Sequence, residues 1–283
     1  MVTNPYSHHP VLLASAAATL QEVSQGRAFL GLGWGAGLAE IGIAQPRPVA
    51  ALRESIIIIN DLLAGKTVNR TGPLFHVTGA RMVQTPPPRV PICVGTRSPQ
   101  TMRLAGELAD VAIVGARYMT PEMAQSYRDW IAEGAARAGR APHDVEVAPR
   151  LTLCCSRDGA AARQSVKLHA AYYLTLLKPP EVAIEPERMA RIEAAVRRAS
   201  GWYFAPDVSY PPELHDLVGD DIVERFAIAG TPDECLEQMR RFALLGFTSA
   251  SMNLAAVRRG SMYEGLRETI ASFAAVVEEV KRL

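Results

Sequence analysis

The sequence lacks the features that mark several classes of protein. It has four cysteines, whose positions do not show the paired spacing of a zinc site. The net charge is +1, so no broad basic field predicts nucleic-acid binding. No apolar run reaches the length of a membrane span, and the first ten residues do not have the pattern of a signal peptide. We therefore expect a cytoplasmic protein with buried, reduced thiols and no nucleic-acid or membrane partner.

The sequence does contain a repeated alternation of short apolar runs, turns and amphipathic helices. This alternation predicts an α/β fold with parallel strands. Periodicity alone leaves a closed barrel and a doubly wound sheet equally open. A hairpin or an extended excursion is predicted within 67–90, ending in a stiff linker at Pro86–Pro88, and a helix-rich segment at 158–230. Strands are predicted near 1–4, 27–33, 91–95, 110–115, 147–154 and 248–254.

Two helices illustrate how the pattern is interpreted. The run 48–64 includes four consecutive isoleucines that could form a strand, but the flanking residues continue a helical period. A helix is also predicted at 11–25, ending before Gly26. Its predicted buried face consists of the apolar residues at helical spacing, namely Leu12, Leu13, Ala16, Leu20 and Val23.

The stretch RAFLGLGWGAG, residues 27–37, has four glycines at every second position. Gly31, Gly33 and Ala36 satisfy a relaxed dinucleotide fingerprint, which also requires an acidic residue about 20 positions later at a strand end. The acid at that distance is Glu54, inside the helix predicted at 48–64. Three interpretations of the stretch are open: a dinucleotide loop, a tight turn, or a strand end without side chains so that a planar ligand can lie against it. The last of these is favoured.

The sequence Gly95-Thr96-Arg97-Ser98 follows a predicted strand and precedes a predicted helix. Free backbone N–H groups, two hydroxyls and a guanidinium at a helix N-terminus form an anion site. Ser98 could also serve only as the N-cap, with Pro99 in the first helical position. These two roles are compatible.

The adjacent His8 and His9 lie between a predicted strand end and a helix. Neighbouring residues cannot ligate one metal from a helix face, as a pair four residues apart would. One of them faces a ligand, or both belong to an ordinary loop or cap; the sequence leaves this open. No Ser/His/Asp or Cys/His set for nucleophilic catalysis can be assembled.

Several runs, taken together, resemble the bacterial luciferase-like monooxygenase superfamily, in particular the coenzyme F420-dependent branch that includes methylenetetrahydromethanopterin reductase. The resemblance implies a TIM-type (β/α)8 barrel as one domain, 1–283, with no permanent metal and with the helical insertion (about 158–230) before the last strand. Two strand–helix units that precede the VTNP strand in that family have no counterpart. We therefore expect a barrel incomplete at its N-terminus, and a homodimer. The matching runs are VTNPYSHHP, LQEVSQGRAFLGLGWGAG, PRPVAALRESIIIINDLLAGKTVN, PICVGTRSPQTMRLAGELADVAIVGA and FAIAGTPDECLEQMRRFALLGF.

The resemblance also implies a place for each part of the cofactor. Some relatives have an acidic proton donor where this chain has Gly35-Ala36-Gly37, and Glu40 is the nearest acid, so no catalytic residue is assigned. The cofactor phosphate is implied at Gly95, Thr96, Arg97 and Ser98. The deazaflavin ring and its linker are implied near Val2, Thr3, Asn4, Gly33, Trp34 and Gly35, with Val114, Gly115 and Ala116 along the ring edge.

The function implied is that of an oxidoreductase that transfers a hydride between coenzyme F420 and a small organic substrate, such as one related to methylenetetrahydromethanopterin. An FMN-dependent monooxygenase of the same superfamily is one alternative, and a non-catalytic cofactor-binding fragment is another. Arg97 and Arg117 favour F420, because its long acidic tail needs cationic contacts. The redox chemistry itself belongs to the cofactor.

Overall fold

A computed structural model gives the structure of the protein and describes residues 2–35, 37–83, 89–116, 118–199 and 211–283. The chain forms two compact units. Unit 1 consists of Met1–Val114 and Gln125–Ala148, and unit 2 of Gly115–Ala124 and Pro149–Leu283. This division into compact units does not test the prediction that 1–283 form one barrel domain, which stays a prediction. The predicted Pro86–Pro88 linker lies outside the described residues.

The first six strands of the chain comprise four parallel neighbours and one antiparallel pair. In chain order the six strands are β1 (Val2–Thr3), β2 (Leu30–Leu32), β3 (Val68–Thr71), β4 (His76–Ala80), β5 (Ile92–Thr96) and β6 (Val111–Gly115). The parallel order is β1-β2-β5-β6, while β3 and β4 form a separate antiparallel hairpin. Of the two alternatives predicted for 67–90, a hairpin or an extended excursion, the structure has the hairpin. The first four predicted strands are confirmed.

The helices of unit 1 begin at prolines, whose fixed φ suits the first helical position and whose missing N–H is not needed there. The four isoleucines belong to the second of these helices, and Ile56, Ile58 and Ile59 are fully buried. This confirms the helix predicted at 48–64. The helices are α1 (Pro10–Val23), α2 (Pro48–Leu63), α3 (Pro99–Leu108) and α4 (Pro121–Arg137), of which α4 starts in unit 2.

The predicted buried face of α1 was wrong. Leu12, Leu20 and Val23 are 66%, 61% and 78% exposed, while Leu13 is buried. The other buried residues of α1 are mostly alanines, together with Pro10 and Gln21. The helix is apolar on more than one side, so the period does not select a face. Helix α1 packs against α2, and small alanine side chains allow close helix packing. Packing, not the apolar period, therefore decides which residues of α1 are buried.

A central strand of unit 2 is flanked by two others. Strand β7 (Glu146–Cys155) starts in unit 1, and in unit 2 it pairs in parallel with both β8 (Ile228–Gly230) and β9 (Ser251–Leu254). The strands predicted near 147–154 and 248–254 are confirmed. The six predicted strands omitted β8, because three residues between two helices give too short a pattern. The described residues contain seven parallel strands.

The helices of unit 2 include five that precede β8, which confirms the helix-rich character of the described part of 158–230. The segment predicted as helical ends at Phe226, earlier than 230, because its last three residues form β8. None of the helices described combines the length and apolar character that a membrane crossing needs. The helices of unit 2 after β7 are α5 (Gly159–Ser165), α6 (Lys167–Leu177), α7 (Pro186–Arg198), α8 (Leu214–Leu217), α9 (Asp220–Phe226), α10 (Pro232–Leu244), α11 (Met262–Ala274) and α12 (Val277–Val280).

Two apolar clusters lie on opposite faces of β7. Leu151, Leu153 and Cys155 pack on one face with side chains of α10. Cys154, on the other face, packs with side chains of α5 to α9. The adjacent cysteines therefore point in opposite directions, as an extended strand requires. Cys93, Cys154, Cys155 and Cys235 are all buried free thiols, which confirms the predicted state.

Candidate functional site

The carboxyl ends of β1, β2, β5 and β6 meet at one edge of unit 1. Thr3 pairs with Leu32, Leu32 pairs with Val94, and Thr96 pairs with Val114. Because parallel strands in this register end at the same level, the residues that follow them are neighbours. The structure thus gathers the predicted site residues of unit 1 at this edge. Thr3 is the last residue of β1, and those that follow β1, β2 and β5 are Asn4, Gly33, Trp34, Gly35, Arg97 and Ser98.

The loop between β1 and α1 is organised by one side chain. The Asn4 Oδ1 accepts hydrogen bonds from the backbone N–H of Tyr6 at 3.0 Å and of Ser7 at 2.9 Å, and from the Ser7 hydroxyl at 3.1 Å. His9 is the N-cap of α1, and its Nδ1 accepts from the N–H of Val11. His8 Nδ1 lies 2.9 Å from the Ser7 hydroxyl. Both histidines thus contribute to loop and cap structure, one of the two roles left open by the sequence.

The glycine stretch combines a close strand contact with a turn. The Gly33 N–H donates to the carbonyl of Thr3 at 2.8 Å, and a Cβ on Gly33 would lie 3.0 Å from Cγ1 of Val2. Gly33 therefore allows β1 and β2 to approach closely. Gly35 has φ +86°, a left-handed conformation that favours glycine. The Gln45 amide donates to the carbonyl of Gly35 at 3.1 Å and also to that of Trp34.

The exposed residues of this stretch offer an apolar surface. Trp34 is 40% exposed and Val2 is 39% exposed, although both belong to large apolar types. Ala36, where some relatives have an acid, lies outside the described residues. Glu40 is exposed on a short 3-10 helix, Ala39–Ile41. The prediction that a planar ring lies against these residues stays a prediction.

A dinucleotide-binding loop is excluded by the residues after β2. No α-helix begins at the glycines in the described part, since the next α-helix, α2, starts at Pro48. Glu54 is buried within α2 and accepts hydrogen bonds from the backbone N–H groups of Leu74 and Phe75. This carboxylate holds the β3–β4 hairpin against α2, so it cannot bind a ribose.

The junction between β5 and α3 has the groups that an anion needs. Ser98 is the N-cap of α3 and forms a capping box with Thr101. The Thr96 side chain is 2% exposed, and its hydroxyl has no hydrogen-bond partner among the described residues. Arg97 is exposed and forms no ion pair or hydrogen bond with any residue that the structure describes. This hydroxyl and this cation belong to consecutive residues just before the positive end of α3.

The end of β6 completes the list of predicted residues. Val114 and Ala116 are buried, and Gly115 between them is half-buried. Arg117 lies outside the described residues, so the cationic contact predicted for it stays a prediction. The nearby strand β5 contains Cys93, whose pKa is raised to about 11 by burial and by the charges of Asp110 and Glu146. This thiol stays protonated at neutral pH and is not a nucleophile.

The sequence did not point to two residues that support the site. Gln45 bonds the backbone of the glycine stretch, and the Tyr6 hydroxyl donates to the carbonyl of Pro46 at 2.7 Å. Burial raises the pKa of Tyr6, so it keeps this proton. The first contact lies within the loop between β2 and α2, and the second ties this loop to the loop between β1 and α1. Residues so distant in sequence give no local pattern from which such contacts can be predicted.

Comparison with known families gives a clear result. Residues 1–249 match the family described as luciferase-like monooxygenase. The chain belongs to this family. The match confirms the resemblance carried by the VTNP, glycine-rich and GTRS motifs.

Two relatives of the luciferase-like chain are named for reactions that involve tetrahydromethanopterin or F420. The 5,10-methylenetetrahydromethanopterin reductase of Methanolobus tindarius is 31% identical over 254 residues, and the match covers 87% of this chain and 74% of the relative. The F420-dependent glucose-6-phosphate dehydrogenase of Microbacterium testaceum is 28% identical over 254 residues, with 87% and 68% covered.

Solved structures support the fold. The coenzyme F420-dependent tetrahydromethanopterin reductase from Methanopyrus kandleri matches with a TM-score of 0.74 at 24% identity, covering 96% of this chain and 82% of that one. An F420-dependent secondary alcohol dehydrogenase matches with a TM-score of 0.70 at 18% identity, covering 97% and 78%. These matches confirm the predicted α/β fold of the luciferase-like type.

Proposed function

We propose that this chain is an oxidoreductase that transfers a hydride between coenzyme F420 and a small organic substrate. The observation that carries the proposal is the β5–α3 junction, where the Thr96 hydroxyl and the Arg97 guanidinium have no partner among the described residues. The names of the relatives support F420 as the cofactor. Methylenetetrahydromethanopterin-like compounds are our first candidate for the substrate, on the strength of the relative with 31% identity.

The junction fits the phosphate of such a cofactor. A phosphate at the α3 N-terminus would accept hydrogen bonds from the Thr96 and Ser98 hydroxyls and from backbone N–H groups, and would pair with Arg97. The capping box already fixes Ser98 at this position, so the site is ordered before a ligand binds. The phosphate would also remove the cost of the buried, unpaired Thr96 hydroxyl.

The remaining predicted residues would position the ring. Trp34 and Val2 offer exposed apolar surface, and Asn4 fixes the turn that carries Thr3 and its neighbours. Gly33 and Gly35 shape the loop beside them, and Val114 in β6 would lie along the ring edge. When bound, the deazaflavin supplies the carbon that accepts or donates the hydride, and the chain binds and orients it.

The loop after β2 has no acidic side chain at the position where some relatives have a proton donor. At that position the chain has Gly35-Ala36-Gly37, and glycine and alanine cannot carry a proton. Glu40 is the nearest acid in sequence and is exposed. We infer a reaction in which hydride transfer needs no proton from this loop.

The experiment is a titration of the full chain with F420 and, separately, with FMN, followed by a hydride-transfer assay. The substrates to be tested are methylenetetrahydromethanopterin with reduced F420 as the hydride donor, and glucose 6-phosphate and propan-2-ol with oxidised F420 as the hydride acceptor. We expect F420 to bind at least tenfold more tightly than FMN and one substrate to change the F420 absorbance. Tighter binding of FMN would favour the monooxygenase alternative. Binding without turnover would favour a non-catalytic cofactor-binding protein, and binding of neither would refute the proposal.

A further inference from the structure

Unit 2 contains a cavity of about 450 Å³ that the proposed cofactor site does not use. This volume is within the range of sites for small organic ligands. The cavity lies where β9 ends, beside the junction of α5 and α6. Much of its wall is apolar and includes Val166, Val257, Met262 and Leu266.

A buried hydroxyl lines the apolar wall. Thr152 is 2% exposed, and its hydroxyl has no hydrogen-bond partner among the residues that the structure describes. Its neighbours Leu151 and Leu153 pack on the opposite face of β7, so Thr152 faces the side where the cavity lies. A hydroxyl buried without a partner is unfavourable, and a ligand in the cavity would satisfy it.

A second polar side chain lies directly across from the first. Asn253 on β9 pairs with Thr152 on β7 in parallel register, and both line the cavity. Met252, the preceding residue, packs on the opposite face, so Asn253 shares a face with Thr152. The Asn253 amide forms no hydrogen bond with a described residue. A hydroxyl beside an amide can both donate to and accept from one oxygen atom of a ligand.

The charges around the cavity are largely balanced by the protein itself. Arg259 pairs with Asp158 at 3.2 Å and also with Glu268. The Glu264 carboxylate bonds the N–H of Ser261 at 3.0 Å, so it occupies the N-terminus of α11. Arg258 also lines the cavity, but its side chain is exposed and water screens its charge. This arrangement favours a neutral ligand over an anion.

We propose that this cavity binds a small neutral organic molecule through one hydroxyl or carbonyl oxygen, which hydrogen-bonds with Thr152 and Asn253. The apolar wall contacts the hydrocarbon part of the same molecule. The binding site belongs to unit 2 alone, and its test needs no coenzyme. It therefore holds or fails independently of the proposed hydride transfer.

The test uses the full chain without coenzyme and four probes of one ring size. These are cyclohexanol, cyclohexanone, cyclohexanecarboxylate and cyclohexylammonium, each titrated by NMR with the side-chain resonances of Thr152 and Asn253 observed. We expect the two neutral probes to shift these resonances and to bind at least tenfold more tightly than either ion. Failure of both neutral probes to bind, or tighter binding of the carboxylate, would overturn the proposal.

Variants test the two polar groups. Thr152→Val keeps the shape of the side chain and removes only the hydroxyl, so we expect about three- to tenfold weaker binding of cyclohexanol. The unfolding midpoint should be at or above that of the wild type. Ser55→Ala is the matched control, because Ser55 also has a buried hydroxyl without a described partner, in α2 of unit 1. Its affinity for cyclohexanol should be unchanged. Asn253→Ala should weaken binding similarly, and wild-type affinity in both site variants would refute the assignment.

Discussion

Replacing Thr96 by valine should change stability and cofactor affinity in opposite directions. The Thr96 hydroxyl is buried, with no hydrogen-bond partner among the described residues. An unpaired buried hydroxyl costs roughly 1–3 kcal/mol, and valine has nearly the same shape without it. We therefore expect the free energy of unfolding of the coenzyme-free protein to rise by about 1 kcal/mol. A phosphate held by this hydroxyl would lose one hydrogen bond, which corresponds to roughly tenfold weaker F420 binding.

Two measurements test this prediction. Urea unfolding followed by circular dichroism gives the stability, and quenching of F420 fluorescence gives the affinity. Ser55→Ala is the control, since it also removes a buried hydroxyl without a described partner and should leave the affinity unchanged. A Thr96→Val protein that loses more than about 1 kcal/mol of stability, or that binds F420 as the wild type does, would refute the reasoning.

Three further predictions concern folding and titration. Gly106→Ala should lower the free energy of unfolding by about 3 kcal/mol or more, because the added Cβ would lie 2.0 Å from the carbonyl oxygen of Ile131. A decrease of less than about 1 kcal/mol, measured by urea unfolding, would contradict this. The hydrogen bonds from Arg259 and Ser156 lower the pKa of Glu268, so its stabilising contribution is present above its unfolded pKa and lost as pH falls through the folded pKa. The gap in melting temperature between wild type and Glu268→Gln should therefore shrink as pH is lowered from 7 to 3, and a constant gap would argue against it. Burial raises the pKa of Cys93 to about 11, so a disulfide reagent at pH 8 should modify this thiol far faster in urea than in the native state. Equal modification rates in the two states would contradict this prediction.

Much of the fold could be predicted because its signals are local. The strand ending in PICVG and the helix beginning at Pro99 are adjacent in sequence, so the strand-to-helix junction at Thr96 and Arg97 could be predicted from the order of residue types. The helix through the four isoleucines followed from its flanking residues in the same way. Local patterns were sufficient wherever one element and its cap decide the structure.

Other features depended on packing between distant residues and could not be predicted. The α1 helix has apolar residues on two faces, and only its contact with α2 determines that Leu20 is exposed and Leu13 buried. Strand β8 is three residues long, and its pairing with β7 defines it. Gly33 leaves room for the Val2 side chain of the neighbouring strand, and this contact exists only because β1 pairs with β2. Each of these outcomes is decided by tertiary contacts across many residues of sequence.

The most direct test of the central claim is the F420 affinity of Arg97→Gln compared with that of Arg81→Gln. Both arginines are exposed and form no ion pair with a described residue, but only Arg97 lies at the β5–α3 junction. Loss of a charge-assisted contact to phosphate costs about 1.5 kcal/mol, so we expect roughly tenfold weaker binding for Arg97→Gln. The Arg81→Gln protein should bind as the wild type does. Equal affinity of the two variants and the wild type would contradict the assignment of the coenzyme phosphate to this junction.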